Sequence, residues 1–155
     1  MEETSAVLSP RDPRVLPAIL LGGLAAGALD LASAFYSYGW GVPRAIAGGL
    51  LGPEATQGGT GTWILGVFLH FFITCVAAAV YYAGSLRLPF LRTNWLVCGL
   101  FFGIAVFLVM NLIVLPLSAL HSVSPRSVES LIQGLLVHMF LVGLPISFSL
   151  PFFSR

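Results

Sequence analysis

The chain has 155 residues, of which 57% are hydrophobic and only 8% are charged. With a mean hydropathy of +0.96 it has too few polar residues to cover a soluble fold, so we expect an integral membrane protein whose first partner is the lipid bilayer. Seven basic residues against six acidic ones give a formal charge of +1, which excludes the strongly basic surface of a nucleic-acid-binding protein.

Four apolar segments are long enough to cross a bilayer, because a helix needs about 20 residues to span roughly 30 Å of hydrocarbon. We predict an all-α membrane protein with four transmembrane helices at residues 15–38, 62–83, 94–118 and 129–152. Residues 15–155 would form a single four-helix transmembrane domain. Residues 1–14 mix Ser, Pro and opposite charges, and we expect a disordered cytoplasmic tail. We expect the first span to stay as a helix rather than to be a cleaved signal peptide.

The arginines predict the orientation, since cytoplasmic segments retain positive charge. One side of the predicted bundle carries five of them, Arg11, Arg14, Arg87, Arg92 and Arg155. The other side carries Arg44 and Arg126. We therefore expect both termini on the cytoplasmic side.

The long outer loop at residues 39–61 is rich in glycine and nearly free of charge. Pro43 is well placed to start a short helix that runs to about Leu51. Its apolar residues suit an interfacial or re-entrant segment. A plain surface helix with a flexible return is the alternative.

Glycines at helical spacing predict close helix packing. Gly23 and Gly27 in the first span, and Gly99 and Gly103 in the third, form Gly-x-x-x-Gly pairs that let backbones approach. Gly66 and Gly134 each stand four residues before a histidine in the second and fourth spans. The pattern leaves open whether these faces pack inside one chain or form a homo-oligomer or a larger membrane complex.

Four polar side chains lie at a shared depth inside the predicted spans: Asp30, His70, Asn111 and His138. Each is about seven to nine residues from the outer end of its span, or roughly 10 to 14 Å. Intramembrane ionisable residues are costly and mark functional sites by default. Asn111 lies about 80° around its helix from Gly103, so we expect it to face a different neighbour.

The order of motifs also resembles a tandem repeat of two-helix units. A helix with Gly-x-x-x-Gly is followed by a helix with Gly-x-x-x-His, first ending in His70 and then in His138. Each unit crosses the membrane twice, so the units would be related by an axis along the membrane normal. That arrangement would bring the two histidines to face each other.

Two prolines fall near the polar layer. Pro116 removes the backbone partner of the Leu112 carbonyl, and Pro145 removes that of Leu141. These carbonyls could coordinate a cation or hold water, or the kink could be satisfied by nearby groups.

The polar layer permits three uses. The first is interhelical hydrogen bonding alone. The second is proton sensing or ion movement, because imidazole titrates near neutral pH. The third is a cofactor site, either haem b held by His70 and His138 or a transition metal held by Asp30, His70 and His138. The chain would then be a haem or metal-binding membrane protein, or an accessory subunit of a membrane complex. Phe68, Phe71, Phe72, Met139 and Phe140 could line such a haem.

No sequence signature of catalysis is present, neither Gly-x-Ser-x-Gly nor His-Glu-x-x-His nor Cys-x-x-Cys. We therefore expect no enzyme and no catalytic residues. A small dimeric exporter that uses Asp30 as its coupling carboxylate is a further alternative.

Three stretches, LGVFLHFFITCVAAAVYYAGSLRLPFL, VMNLIVLPLSAL and LLVHMFLVGLPI, resemble the YagU-like family of small bacterial inner-membrane proteins. The resemblance covers most of residues 15–153 and carries over His70, His138 and the Pro116–Leu117 step. It implies a bacterial cytoplasmic membrane, an uncharacterised activity and a link to acid resistance. The chain departs from the family pattern because it is compact and its outer loop is nearly free of charge.

Overall fold

The computed structural model describes residues 12–121 and 127–153. All regular elements in these residues are helical: α1 (Val15–Tyr38), α2 (Val42–Leu51), α3 (Thr60–Arg87), α4 (Phe90–Thr93), α5 (Trp95–Leu117) and α6 (Val128–Phe153). A 3-10 turn at Pro53–Gln57 links α2 to α3. Four of the helices, α1, α3, α5 and α6, are long and apolar enough to cross a membrane, which confirms the predicted all-α, four-helix membrane fold.

The bundle has two ends of different character. The loop end carries the end of α1, all of α2 and the start of α3, together with the end of α5 and the start of α6. The terminal end carries the start of α1, the short α4 and the end of α6. Residues 1–11 of the predicted tail lie outside the described residues, as do Arg126 and Arg155. The structure therefore does not describe Arg11, Arg126 and Arg155, three of the arginines on which the predicted orientation rests.

The helices α1 and α6 form the centre of the bundle, with α3 packed on α1 and α5 packed on α6. Backbones approach closely at the predicted glycines. A Cβ on Gly23 would lie 2.6 Å from the Cα of Cys75, and one on Gly103 would lie 2.5 Å from the Cα of Met139. Such contacts hold membrane helices together by close packing, where lipid offers no hydrophobic drive.

The other predicted packing glycines also meet neighbours in the same chain. A Cβ on Gly27 would lie 2.7 Å from Thr74 Oγ1, and one on Gly134 would lie 3.0 Å from the Phe107 ring. One on Gly66 would collide with the Pro43 carbonyl, and one on Gly99 with the Ser147 hydroxyl. The Gly-x-x-x-Gly faces are therefore occupied within the chain and are not free for a second copy.

The short helix α2 packs on α3 at the loop end. Pro43 lies in the first turn of α2, and its carbonyl rests on Gly66 of α3. The Ala119 amide, just after α5, donates to the Gly49 carbonyl at 2.9 Å. These contacts fix α2 between α3 and the end of α5.

Two of the long helices contain π-helical segments, Met110–Val114 in α5 and His138–Gly143 in α6. Each segment ends two residues before a helical proline, Pro116 or Pro145. Proline lacks an amide proton and crowds the carbonyl four residues earlier, so the turn before it widens. Both widened turns contain a residue of the predicted polar layer.

Candidate functional site

A cavity of about 370 Å³ opens at the loop end between α1, α5 and α6. We call it the vestibule. Its lining comes from α1 (Asp30, Ser33, Ala34, Ser37, Tyr38), α5 (Phe107, Asn111) and α6 (Ser130, Gln133, Gly134, Val137, His138). Three of the four residues of the predicted polar layer, Asp30, Asn111 and His138, thus share one cavity.

The vestibule contains further polar residues that are spaced at helical intervals from the predicted ones. Asp30, Ser33 and Ser37 follow at three- and four-residue intervals, so they share one face of α1. At the mouth, the Gln133 amide donates to the Ser37 hydroxyl at 2.8 Å and joins α6 to α1. Our sequence analysis missed Ser33, Ser37 and Gln133, although their spacing from Asp30 and His138 is a signal that could have identified them.

The floor of the vestibule is a contact between a carboxylate and an imidazole. Asp30 Oδ2 of α1 lies 3.7 Å from His70 Nε2 of α3. The side chains are 18% and 11% exposed, respectively. Asp30 faces the vestibule, whereas His70 is not among the lining residues and lies behind it. The carboxylate therefore stands between the cavity and the histidine.

His70 is held in place by the backbone of α1. Its Nε2 lies 2.9 Å from the Gly27 carbonyl oxygen, and since that oxygen can only accept, Nε2 carries the proton. The missing side chain of Gly27 lets α3 approach closely enough for this bond, with Phe71 and Thr74 packed on either side. The Phe71 ring meets the imidazole edge-on at 5.7 Å between centroids.

His138 is fixed differently, by its own helix. Its Nδ1 donates to the Gly134 carbonyl at 2.8 Å, which leaves Nε2 as an acceptor in the neutral ring. The Phe107 ring of α5 packs edge-on against the imidazole, with 5.5 Å between centroids. His138 is thereby held in the wall of the vestibule.

Asn111 lies in the π-helical segment of α5, where its amide donates to the Phe107 carbonyl at 2.7 Å. Asn111 lines the same cavity as Asp30 and His138, between α1 and α6. The expectation that it faces a different neighbour used ideal α-helical geometry. The wider π-helical turn changes the angle at which residues leave the helix.

The cofactor arrangements are not assembled by the described residues. No group of three His, Cys, Asp or Glu side chains there could hold a metal ion, so the Asp30, His70 and His138 set does not form. The two histidines bond to different backbone carbonyls, His70 to Gly27 across to α1 and His138 to Gly134 within α6. Phe68, Phe72 and Phe140, expected around a haem, are 63%, 56% and 50% exposed and point outward.

The polar lining ends below the Asp30–His70 contact. One turn further on, the Thr74 hydroxyl bonds to the carbonyl of its own helix at Phe71, 3.0 Å away. Beyond it lies a core of apolar and tyrosine side chains contributed by α1, α3 and α6, namely Ala18, Ala26, Ala78, Tyr81, Tyr82, Val142, Ile146 and Leu150. The vestibule is therefore closed towards the terminal end.

The mouth of the vestibule continues into a second hollow at the surface of the loop end. Ser37, Tyr38, Ser130 and Gln133 line both spaces. Glu129, in the first turn of α6, borders the outer hollow. A polar surface thus leads from the outside of the bundle to Asp30.

Comparisons of the chain with protein-family models, with curated proteins and with solved structures find no match. The functional conclusion therefore rests on the geometry of the vestibule and of the Asp30–His70 contact.

Proposed function

We propose that this integral membrane protein is a non-enzymatic, proton-responsive protein of the bacterial inner membrane, with the Asp30–His70 pair as its proton-binding site. The observation that carries the proposal is the 3.7 Å separation between Asp30 Oδ2 and His70 Nε2 at the floor of the vestibule. We also propose membership of the YagU-like family, and with it a role under acid or envelope stress.

Proton binding at this site would change the contact between α1 and α3. The present separation is longer than a hydrogen bond. Imidazole gains its charge near neutral pH, and a charged donor forms a shorter and stronger bond to a carboxylate than a neutral one does. Protonation of His70 is expected to draw the Asp30 carboxylate towards α3 and away from the vestibule.

Sensing fits the geometry better than conduction. With the loop end outside, as the arginine distribution predicts, protons reach Asp30 through the polar vestibule. On the other side of His70 the path meets the buried side chains Ala26, Ala78 and Ile146. An apolar, closely packed core is a barrier to a hydrated proton path.

The pair is complete within one chain, so a proton response needs no second subunit. Asp30 and His70 come from helices of one chain that pack on each other at Gly27. This favours the sensor over the dimeric exporter. The outward-facing Phe68, Phe72 and Phe140 favour it over the haem protein.

Tryptophan fluorescence can test the proposal, because an aromatic cluster bridges α1 and α3 near the pair. The Phe35 ring of α1 lies 6.3 Å from the Trp63 ring of α3, and Trp63 Nε1 donates to the Trp40 carbonyl at 3.0 Å. Trp95 packs against Phe148, away from this cluster. The measurement uses a Trp95→Phe background, so that Trp95 does not contribute to the emission.

The protein would be studied in nanodiscs while the medium is acidified from about pH 8 to about pH 5, across the titration range of imidazole. We expect an emission change that is lost in His70→Gln and in Asp30→Asn. His121→Gln, at an exposed histidine beyond α5, is the control and should keep the change. An identical response in His70→Gln and the wild type would overturn the proposal.

The proposed role under acid stress is tested by measuring bacterial survival at low pH. A bacterium that depends on this protein under acid stress should lose that protection when His70→Gln replaces the wild type, and should keep it with His121→Gln. Equal survival of the two strains would remove the acid-stress role.

A further inference from the structure

The charge of the vestibule is one-sided. Among the described residues that line it, Asp30 supplies a carboxylate and no arginine contributes. His138 is the remaining titratable group apart from Tyr38, and its neutral form offers an acceptor nitrogen. A cavity with this lining attracts cations and repels anions.

The size and polarity of the cavity suit a small organic molecule. Its volume of about 370 Å³ lies at the lower end of the range of about 300–1,000 Å³ that is typical of ligand pockets. Ser33, Ser37, Asn111 and Gln133 place hydrogen-bonding groups around a partly apolar wall. Few convergent polar groups on an otherwise apolar wall are typical of small-molecule sites.

Two aromatic rings add a feature that distinguishes organic cations from metal ions. Phe107, 9% exposed, and Tyr38, 67% exposed, both line the vestibule together with Asp30. The face of an aromatic ring attracts an ammonium group, most strongly where water is excluded. A metal ion, by contrast, would need several hard ligands, and no three His, Cys, Asp or Glu side chains gather in the described part of the chain.

We infer that the vestibule binds a small monovalent organic ammonium ion on the Asp30 carboxylate, against the rings of Phe107 and Tyr38, and that proton binding by the Asp30–His70 pair releases it. The inference deepens the proposed function and rests on it for the release step. The ammonium ion and the protonated imidazole of His70 compete for the same Asp30 carboxylate, so affinity falls as the medium becomes acidic.

Other charged groups around the site act in the same direction or lie apart from it. Glu129 of α6 borders the outer hollow and adds negative charge at the mouth. His138 of α6 lines the same cavity, where a protonated imidazole would oppose a bound cation. Arg44 of α2 forms no ion pair with any acid in the described residues and is absent from the lining. Protonation of any of these groups would therefore weaken cation binding.

Tetramethylammonium chloride is the probe, titrated calorimetrically into the full chain in nanodiscs of zwitterionic lipid, with empty nanodiscs as the blank. At about pH 8 we expect saturable binding, and at about pH 5 we expect the affinity to fall at least about tenfold. Asp30→Asn should lose about tenfold or more at the higher pH.

Two further variants separate the charge from the cavity. Ser33→Leu fills the vestibule and keeps the carboxylate, so it should also abolish binding. Glu54→Gln removes an exposed acid of the same loop end that does not line the vestibule, and it should bind as the wild type does. Ser33→Leu also guards against a failure of Asp30→Asn to fold.

The possible results separate this inference from the proposed function. No binding by the wild type, with the tryptophan response to acid intact, overturns the ammonium site and leaves the proton sensor standing. Binding that persists in Asp30→Asn or in Ser33→Leu also overturns the site. Binding that depends on Asp30 but is equally tight at both pH values overturns the release step. If the wild type shows no tryptophan response to acid, the proton sensor itself is overturned.

Discussion

The loop-end half and the terminal-end half of this bundle use space differently. In the terminal half, the contact between α1 and α6 leaves almost no room: Ala18 and Ala26 are 0% exposed, and Ile146 is 1% exposed. In the loop-end half, the same helices α1 and α6 border a cavity of about 370 Å³ lined by Asp30 and His138. One pair of helices thus forms both the tight core and the open vestibule.

This difference indicates a division of labour along the helices. Close packing stabilises a membrane protein in the absence of a hydrophobic drive, so the terminal half is expected to supply most of the stability. The loop-end half gives up packing and exposes polar groups, which is typical of functional sites in membranes. The two π-helical segments lie at the boundary between the halves or within the open one.

The largest contrast is expected between Ile146→Ala and Val137→Ala, two truncations in α6. Ile146 lies in the closed core, where the loss of a buried aliphatic side chain costs about 2–5 kcal/mol. Val137 lines the vestibule, where its loss enlarges an existing space, and we expect less than about 1 kcal/mol. Reversible unfolding in mixed micelles measures both. Equal losses in the free energy of unfolding would contradict the difference between the two halves.

A smaller contrast separates two glycines. Gly23→Ala would press a Cβ to 2.6 Å from the Cα of Cys75, and overpacking of this kind costs about 1–3 kcal/mol. Gly61→Ala, near the start of α3, meets nothing within 4 Å and should be neutral or stabilising by up to about 1 kcal/mol. The same unfolding measurement applies, and a stable Gly23→Ala variant would show that α1 and α3 are not in tight contact.

The hydrogen bond between Gln133 and Ser37 at the vestibule mouth is expected to matter less for stability than for the access of reagents to the vestibule. Gln133→Ala removes the 2.8 Å bond to Ser37, and hydrogen bonds between membrane helices contribute about 0.6–2 kcal/mol. Since this bond is exposed, we expect a loss near the lower value, together with faster reaction of a cysteine placed at Ser33. Hydrogen exchange at the start of α6 would report the loosening, and unchanged access would mean that the bond does not narrow the mouth.

The smallest effect is expected outside the membrane, at Asp12. Hydrogen bonds from Arg14 hold the pKa of Asp12 below its usual value. The pair therefore contributes to stability above that usual value and loses its contribution as the pH falls through the lowered pKa. Both groups are on the surface, so we expect Asp12→Asn to leave the melting temperature unchanged at neutral pH. A clear shift would show that this first turn supports the core.

The spans could be predicted from the sequence because bilayer thickness imposes a length on apolar segments. The first span, Val15–Tyr38, matches its prediction at both ends, and the third, Trp95–Leu117, differs from 94–118 by one residue at each end. The second runs further than predicted, to Arg87, because polar residues at helix ends remain helical outside the hydrocarbon.

The internal arrangement of the site was less predictable. The shared depth of the four polar residues in the membrane correctly suggested that Asp30 could meet residues of other helices. Depth does not give the direction in which a side chain points around its helix axis. The angle of Asn111 depends on a π-helical turn, and the turn depends on how Pro116 is accommodated. Depth also does not show that His70 bonds across to α1 whereas His138 bonds within α6.

The central claim is that water reaches Asp30 from the loop end and stops there. Cysteine labelling tests it most directly, with Ser33→Cys and Ser147→Cys made separately after Cys75 and Cys98 are replaced by serine. Ser33 lines the vestibule, whereas Ser147 is fully buried in the terminal half. An impermeant cationic thiosulfonate, added to cells from outside, should modify Ser33→Cys and spare Ser147→Cys. An unreactive Ser33→Cys, or equal modification at both positions, would contradict the account.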